Sequence, residues 1–259
     1  MGERLADAVA VVTGGGAGIG EATCLRVAEE GASVVVVDRD EANAKETVSR
    51  IESMDGPAAI AVGTDVSDEA AVEAMADRVG SRFETVDILV NNAGIRVEPR
   101  PVTEADEASW DEILGVNLKG AAFCSKHLIP LMTDGGAVVN VASVGAGLGR
   151  EAWAQYDATK GGIIAMTRDM ACDHAEEGIR VNAISPGWVI TDYHVGDRSG
   201  EDAERFIEEN TTWGGSDGNM LRRAAKPREL ADAIVFLASD EASFVTGVNI
   251  PVDGGAGLL

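Results

Sequence analysis

Cysteine and histidine are scarce in this sequence, and their positions exclude several classes of protein. The three cysteines form no CxxC pair, and none has a histidine at the spacing of metal ligands. We therefore expect neither a disulfide framework nor a protein-bound catalytic metal. The cysteines are interpreted as small, buried apolar residues. The positions concerned are Cys24, Cys124, Cys172, His127, His174 and His194.

Long apolar runs are also missing. No run reaches the roughly 18 residues that a membrane span requires, yet hydrophobic residues make up 45% of the chain, which excludes disorder. Residues 1–7 have neither the charged head nor the apolar stretch of a secretory signal. A length of 259 residues suits one α/β domain. We expect a single, soluble, cytoplasmic domain over residues 1–259.

Basic residues are few relative to acidic ones. The 21 lysines and arginines are outnumbered by 44 aspartates and glutamates, which gives a formal net charge of −23. Such a surface repels nucleic acid and anionic lipid, so we expect no nucleic-acid partner and no membrane partner. It resembles the acidic surface of halophilic proteins, in which molar salt screens self-repulsion. A salt-adapted protein is one hypothesis, and an ordinary acidic enzyme is the alternative.

A glycine cluster lies between a predicted strand and a predicted helix near the start of the chain. The apolar run at residues 9–13 predicts a buried parallel strand, and the pattern at 22–30 predicts a helix. Gly14, Gly18 and Gly20 between them permit a tight turn and close backbone approach to a pyrophosphate. Strand, glycine loop and helix in this order predict a dinucleotide site.

The second predicted strand, residues 33–37, is followed directly by Asp38. A carboxylate at this point accepts hydrogen bonds from ribose hydroxyls but repels a 2′-phosphate, which favours NAD. Arg39 opposes this preference, because an arginine beside the ribose can hold a phosphate. Gly15 and Gly16 supply no second positive charge. We therefore predict NAD as the cofactor, with NADP less favoured.

Strands and helices continue to alternate along the whole chain, with no repeat and no break in composition. This alternation predicts a Rossmann-type, doubly wound α/β fold whose mostly parallel, seven-stranded sheet is flanked by helices. Further helices are predicted at about 41–53, 68–82, 156–177, 200–210 and 227–238, and further strands at 58–62, 86–90, 179–184 and 245–250.

A serine followed at a distance by a tyrosine and a lysine suggests the chemistry. Tyr156 and Lys160 are four residues apart, so they share one face of a helix. Because a nearby cation favours the phenolate, we predict that Lys160 lowers the pKa of Tyr156. Ser143 could donate a hydrogen bond to a substrate oxygen while Tyr156 transfers a proton. The pattern predicts interconversion of an alcohol and a carbonyl.

The chain resembles the short-chain dehydrogenase/reductase family over essentially its whole length, because five separated motifs of that family occur here in the family's order. The family's TGxxxGxG pattern falls on 13–20, its acidic strand end on Asp38, and NNAG on 91–94. The Asp-Val pair that contacts adenine falls on Asp65 and Val66. The family's catalytic residues fall on Asn117, Ser143, Tyr156 and Lys160.

The resemblance implies a role for each of these four residues. Tyr156 is expected to be the acid/base, and Lys160 is expected to bind the nicotinamide ribose as well as to act on the phenol. Ser143 is expected to hold the substrate oxygen, and Asn117 to support a water relay to Lys160. The implied reaction is hydride transfer between nicotinamide and a secondary alcohol or ketone.

The resemblance also extends to a segment after the predicted strand at 179–184. The family's PG motif falls on 185–191, where Thr191 is expected to reach the nicotinamide carboxamide with help from the backbone near Val189. The polar segment at about 192–226 is interpreted as a substrate lid. A homotetramer or homodimer is expected by resemblance. The other expected cofactor contacts are Gly14, Gly18, Ile19, Gly20, Asp38, Arg39, Asp65, Val66, Asn92, Ala93, Gly94, Pro186 and Gly187.

The substrate is left open by the sequence. Candidates are a sugar or other polyol, a cyclic secondary alcohol and a 3-oxoacyl compound, and Arg96 could offer a local contact for an anion. The alternative function is a catalytically silent dinucleotide-sensing or scaffold protein on the same fold. Candidate walls of the substrate pocket are Trp153, Trp188, Tyr193 and Trp213.

Overall fold

Seven strands form one sheet in the computed structural model, which describes residues 3–54, 56–133, 135–196 and 198–258. Each strand is short and rich in valine, isoleucine or alanine, the composition of strands buried on both faces. The strands are β1 (Val9–Thr13), β2 (Ser33–Asp38), β3 (Ala59–Gly63), β4 (Ile88–Asn91), β5 (Gly136–Val141), β6 (Ile179–Pro186) and β7 (Asn249–Val252).

The strand order is β3-β2-β1-β4-β5-β6-β7, and every neighbouring pair is parallel. The predicted Rossmann-type, seven-stranded sheet is confirmed, and all of its strands are parallel. The chain reverses its direction of travel across the sheet between β1 and β4, since β1 has β2 on one side and β4 on the other. Open sheets of this type bind ligands outside the carboxyl ends of the strands at such a switch point.

Helices connect the strands and cover both faces of the sheet. Within the described ranges they are α1 (Gly18–Glu29), α2 (Glu41–Glu52), α3 (Glu69–Phe83), α4 (Glu107–Leu114), α5 (Gly120–Leu128), α6 (Ala154–Asp173), α7 (Asp192–Val195), α8 (Gly200–Thr211) and α9 (Pro227–Ala238).

The boundaries of α1, α6 and β7 differ from the predicted ones, and glycines lie near each of them. α1 begins at Gly18, not at residue 22, so the end of the glycine loop is itself the first turn. α6 ends at Asp173 before a short 3-10 turn, and Gly178, with φ of +74°, redirects the chain into β6. β7 covers Asn249–Val252 and not 245–250, because Gly247 with φ of +73° turns the chain.

The core lies on both faces of the sheet, as alternation along β1 shows. Val12 packs with α1 and α9 on one face, whereas Val11 packs with α3 and α5 on the other. Val27 of α1 and Ile234 of α9 belong to the first cluster, and Leu128 of α5 to the second; all are fully buried. Covering both faces leaves the strand ends as the accessible part of the sheet.

The structure bears on two expectations: that the cysteines are buried and that no segment spans a membrane. Cys24 and Cys124 are fully buried as predicted, and burial raises the pKa of both thiols. The expectation for Cys172 is wrong: it is exposed, because it lies on the outer face of α6 while Met170 and Ala171 are buried. Among the residues that the structure describes, no helix is both long and apolar enough to cross a membrane.

Candidate active site

The glycine loop connects β1 to α1 and leaves no room for side chains at its central positions. Gly14 and Gly18 have φ of +63° and +56°, a region that favours glycine. A Cβ atom on Gly20 would lie 1.9 Å from the carbonyl oxygen of Gly14. Ala17, the N-cap residue, makes no side-chain hydrogen bond to the helix. The N-terminus of α1, with Ile19 in its first turn, therefore has the geometry that binds a phosphate.

A cavity of about 160 Å³ opens beside this loop at the carboxyl end of β2. The Asp38 carboxylate is fixed there, since its oxygens accept hydrogen bonds from the backbone N–H groups of Gly16 at 2.9 Å and Asp40 at 3.0 Å. Apolar walls and carboxylates together fit the adenine and ribose of a dinucleotide. The residues that the sequence assigned to the cofactor and that line the cavity are Gly14, Asp38, Arg39, Asp65, Val66, Ala93 and Gly94.

Asn92 and Thr13 join the glycine loop to the loop after β4. The Asn92 amide donates to the carbonyl oxygens of Thr13 and Gly14 at 2.9 and 3.1 Å. In return, the Thr13 hydroxyl oxygen accepts from the backbone N–H groups of Asn92 and Ala93, each at 3.0 Å. The side chain of Asn92 thus holds the two loops together. Thr13 entered the sequence argument only as part of a motif, and its pairing with Asn92 had no signal there.

Asn117 lies in a π-helical turn, Gly115–Lys119, between α4 and α5. Its amide is paired with the backbone of Ile95: the oxygen accepts from Ile95 N–H at 2.7 Å, and the nitrogen donates to Ile95 C=O at 3.0 Å. The amide nitrogen also donates to the Thr159 hydroxyl at 3.3 Å. Asn117 therefore connects the loop after β4 to α6, and π-helical turns of this kind are frequent at functional sites.

Lys160 of α6 is buried behind that loop. Its ammonium donates to the carbonyl oxygen of Val141, at the end of β5, at 2.8 Å, and lies 5.8 Å from the centre of the Tyr156 ring. A Cβ atom on Gly94 would lie 3.4 Å from both the Lys160 ammonium and the Asn117 amide oxygen. Burial, together with the positive charge of Arg96, lowers the pKa of Lys160 to about 8. Asn117, Lys160 and Gly94 therefore form one cluster.

The pKa of Tyr156 differs from the prediction made from the sequence. Burial raises it above its ordinary value, while Arg96, Arg150 and a hydrogen bond with the Ser143 hydroxyl act in the opposite direction. The expected lowering by Lys160 is therefore not present in the protein without ligand. The physical reason is that the Lys160 ammonium is directed to Val141 and that removing water from the phenol outweighs the nearby charges.

Two arginines flank the tyrosine. The guanidinium carbons of Arg96 and Arg150 lie 6.0 and 5.8 Å from the centre of the Tyr156 ring. They lie 5.7 and 4.4 Å from the ring of Trp153, which packs edge-on against Tyr156 at 5.7 Å. Arg150 is ion-paired with Asp157, its Nε donating at 3.1 Å. Sequence reasoning missed Arg150, although it lies only six residues before Tyr156, because no motif marks it.

The segment after β6 returns to the glycine loop. Gly187 packs so closely on Asp253 that a Cβ atom would lie 2.7 Å from the Asp253 Cα. Further along, a Cβ on Gly18 would lie 3.2 Å from the Thr191 methyl group. Pro186, the last residue of β6, and the buried Val189 precede this contact. Thr191 thus lies beside the first turn of α1, and its expected contact with the nicotinamide carboxamide stays a prediction.

A second cavity, of about 650 Å³, lies between the loop after β4 and Thr191. His194 lines it and was not identified from the sequence; its Nδ1 accepts from the Thr191 backbone N–H at 3.3 Å and lies 3.1 Å from the Thr191 hydroxyl. Burial and Arg96 lower the pKa of His194. The cavity is lined by Gly94, Ile95, Arg96, Val97, Glu98, Pro99, Thr191 and His194.

The four aromatic residues suggested as pocket walls have different positions. Trp153 packs against Tyr156 as described. Trp188 is partly exposed and lines a different, smaller cavity, and Trp213 is 71% exposed, so neither lines the cavity beside Thr191. The side chain of Tyr193 lies outside the described part of the structure.

A family model described as enoyl-(acyl carrier protein) reductase matches residues 14–257. Cis-4-hydroxycyclohexanecarboxylate dehydrogenase of Sinomonas cyclohexanicum is 40% identical over 257 residues, which are 98% of each chain. Meso-2,3-butanediol dehydrogenase of Serratia marcescens is 42% identical over 98% of this chain and 96% of its own.

A solved structure shows the same likeness in three dimensions. The 3-ketoacyl-(acyl-carrier-protein) reductase of Brucella melitensis, complexed with NADH, has a TM-score of 0.83 at 37% identity, over 98% of this chain and 99% of its own. These matches cover nearly the full length of the chain, in sequence and in structure. The chain therefore belongs to the short-chain dehydrogenase/reductase family, whose members are oxidoreductases of alcohols and ketones that use a nicotinamide dinucleotide.

Proposed function

We propose that this protein is an NAD-dependent oxidoreductase that transfers a hydride between nicotinamide and a secondary alcohol or ketone. The observation that carries the proposal is the convergence of Ser143, Tyr156 and Lys160 next to the loop that follows β4. The Ser143 hydroxyl opposes the rise in the pKa of Tyr156, Lys160 donates to the end of β5, and Asn117 fixes the loop between them. Asn117 comes from a different part of the chain than the other three, and a purely structural role does not require a phenol there.

Each side chain has a distinct task in this proposal. Tyr156 transfers the proton to or from the substrate oxygen, and the Ser143 hydroxyl holds that oxygen by a hydrogen bond. When bound, the dinucleotide supplies or accepts the hydride. Lys160 places a positive charge 5.8 Å from the Tyr156 ring and, by family likeness, binds the nicotinamide ribose. Asn117 keeps the loop after β4 in place through Ile95 and supports proton exchange through Lys160.

Asp38 supports NAD over NADP. Its carboxylate is fixed by Gly16 and Asp40 at the mouth of the cavity that fits adenosine, where a 2′-phosphate would meet a like charge. Arg39 lines the same cavity and is the residue that could reverse this preference. The relative from Brucella, solved with NADH, agrees with NAD. The relative named for a hydroxycyclohexanecarboxylate favours a cyclic secondary alcohol among the substrate candidates.

We also propose that residues 192–226 form the substrate lid. Both ends of the segment meet at one point, because Ala225 donates its N–H to Trp188 at 2.9 Å and accepts from Ile190 N–H at 3.0 Å. α7 and α8 lie between these ends, and His194 of α7 lines the larger cavity. Such an arrangement lets the segment move about a fixed base. Assembly into a homotetramer or homodimer and a cytoplasmic location stay predictions.

The decisive experiment measures NADH or NADPH formation with purified protein, at low and at molar KCl, across sugars, cyclic alcohols and 3-hydroxyacyl thioesters. We expect NAD-dependent turnover of one substrate class, at least tenfold faster than with NADP. Activity and melting temperature should both rise with KCl if the net charge of −23 reflects adaptation to salt. NADH binding without turnover of any substrate in either direction would favour the silent dinucleotide-binding alternative.

A further inference from the structure

Arg96 brings a positive charge to the boundary between the larger cavity and Tyr156. Its side chain lines the 650 Å³ cavity and its guanidinium carbon lies 6.0 Å from the Tyr156 ring centre. The same group lies 5.7 Å from the Trp153 ring, within the range of a cation–π contact. The guanidinium therefore lies near both aromatic rings, and the same side chain lines the cavity.

The charge of Arg96 acts on several titratable groups of the site. Arg96 lowers the pKa of Lys160 and of His194 and counteracts the rise in that of Tyr156. Groups on two separate elements, α6 and α7, thus experience its field, which places the charge centrally in the cleft.

The rest of the cavity wall is suited to the carbon skeleton of a small anion. Ile95, Val97 and Pro99 contribute apolar surface on the same loop. Glu98 is the acidic residue among the lining side chains, and its carboxylate is ion-paired with Arg100 at 2.5 Å. A positive side chain at this position is unusual on a protein with a net charge of −23, because the overall field repels anionic substrates.

We propose that Arg96 binds a carboxylate of the substrate, so that the physiological substrate is a hydroxy acid or oxo acid. This inference rests on the proposed function, because it assigns one end of the substrate whose other end reacts at Tyr156. A guanidinium presents two parallel N–H donors that match the two oxygens of a carboxylate. The 6.0 Å between Arg96 and the Tyr156 ring places the carboxylate a few bonds from the reacting carbon.

The experiment compares matched pairs of substrates that differ only in charge. Reduction of 4-oxocyclohexanecarboxylate, 3-oxocyclohexanecarboxylate and 4-oxopentanoate is measured beside that of their primary amides, with cyclohexanone as a neutral reference. We expect kcat/KM for at least one acid to exceed that of its amide by roughly 10–100-fold, the range for a hydrogen-bonded charge pair. Because Arg96 is exposed in the open cleft, the ratio should fall as KCl rises.

Arg96→Met should remove this preference. It should lower kcat/KM for the acid by roughly 10–100-fold and leave the acid-to-amide ratio near one. Arg96→Lys should restore part of the ratio, because it keeps the charge but not the paired donors. Arg82→Met is the matched control: it also removes one exposed arginine, one that lies over the Phe83 ring at the end of α3 and outside the proposed lid, and should change the ratio less than twofold. NADH binding and melting temperature report whether each variant is folded.

The outcomes separate this inference from the proposed function. Equal rates for acids and amides, or turnover of cyclohexanone without turnover of any acid, would overturn the role of Arg96 while leaving the oxidoreductase intact. An equal loss for acid and amide in Arg96→Met would show that Arg96 acts on Tyr156 instead of on a carboxylate, and would also overturn it. Absence of turnover with every substrate, while NADH binds, would contradict the proposed function itself.

Discussion

The two ends of the cleft differ in charge and in the way they are built. At the glycine-loop end, the carboxylates of Asp38 and Asp65 each accept a hydrogen bond from a backbone N–H two residues later in the chain. At the other end, Arg96, Arg150 and Lys160 come from three different elements and meet around one aromatic ring. One end is acidic and determined by single turns, whereas the other is basic and combines one stretch of chain, which carries Arg150 and Lys160, with Arg96 from the loop after β4.

The difference has a consequence for specificity. At Asp38 and Asp65 the turn itself fixes the position of the carboxylate. Such a rigid geometry suits the dinucleotide, a ligand that the whole family shares. Side chains on loops can be substituted one at a time without disturbing the sheet, because the hydrogen bonds that hold the sheet together are made by the strands. We therefore expect the choice of substrate to reside in the basic end, and Tyr156 lies at the junction of the two ends.

The largest expected effect follows from removing the group at this junction. Tyr156→Phe keeps the aromatic packing against Trp153 but removes the proton-transferring hydroxyl, so kcat should fall by roughly 10²–10⁴-fold or more. NADH affinity, which depends on the acidic end, should change less than about threefold. Steady-state kinetics with the best substrate of the panel and fluorescence titration with NADH measure the two quantities.

Trp153→Phe provides the control for altered packing, since it changes the neighbouring ring and retains the phenol. It should lower kcat far less than Tyr156→Phe. If Tyr156→Phe kept substantial activity, the acid/base would have to be a different residue, and the assignment of the tetrad would be wrong. A parallel loss of NADH binding would mean instead that the two ends of the cleft are not independent.

The sequence predicted the acidic end better than the basic end, for a physical reason. The glycine loop and Asp38 must follow each other within one βαβ unit, so their spacing is visible in the chain. His194 reaches the site only because the chain after β6 returns to the loop after β4, and no local pattern records that. Arg150 lies six residues before Tyr156, but no motif marks it. The pKa of Tyr156 was mispredicted for a similar reason, since the direction of the Lys160 ammonium toward Val141 depends on the sheet.

A smaller effect is expected from changing the charge of the acidic end. Asp38→Asn removes the repulsion of a 2′-phosphate and lets Arg39 act unopposed, so the ratio of kcat/KM for NAD over NADP should fall by roughly 10–100-fold. Asp40→Asn is the matched control, because it removes the same charge two positions away. The Asp40 carboxylate accepts a hydrogen bond from the Ala42 N–H as the N-cap of α2 and does not line the cavity. An unchanged ratio in Asp38→Asn would show that the fixed carboxylate does not determine the choice of cofactor.

The smallest expected effect is a change in the free energy of unfolding when Lys160 is replaced. It distinguishes a functional from a structural role for the buried Lys160 ammonium. Burial and Arg96 lower the pKa of Lys160 from 10.5 to about 8, so folding at neutral pH carries a cost of about 3 kcal/mol for keeping the ammonium charged. Lys160→Met removes this cost but leaves the Val141 carbonyl without its 2.8 Å partner, a loss of about 1–3 kcal/mol. We expect the variant to be inactive yet about 1 kcal/mol more stable at pH 7.

The pH dependence gives the sign of this effect. Between pH 8 and 10.5 the unfolded chain binds more protons at Lys160 than the folded one, so the native protein gains stability as the pH rises through this window. The advantage of Lys160→Met should therefore be complete below pH 8 and should vanish or reverse near 10.5. Urea unfolding of both proteins at several pH values measures it. A variant that is less stable at pH 7 would show that the Val141 hydrogen bond outweighs the cost of burying the charge, and that Lys160 is retained for the fold as much as for the reaction.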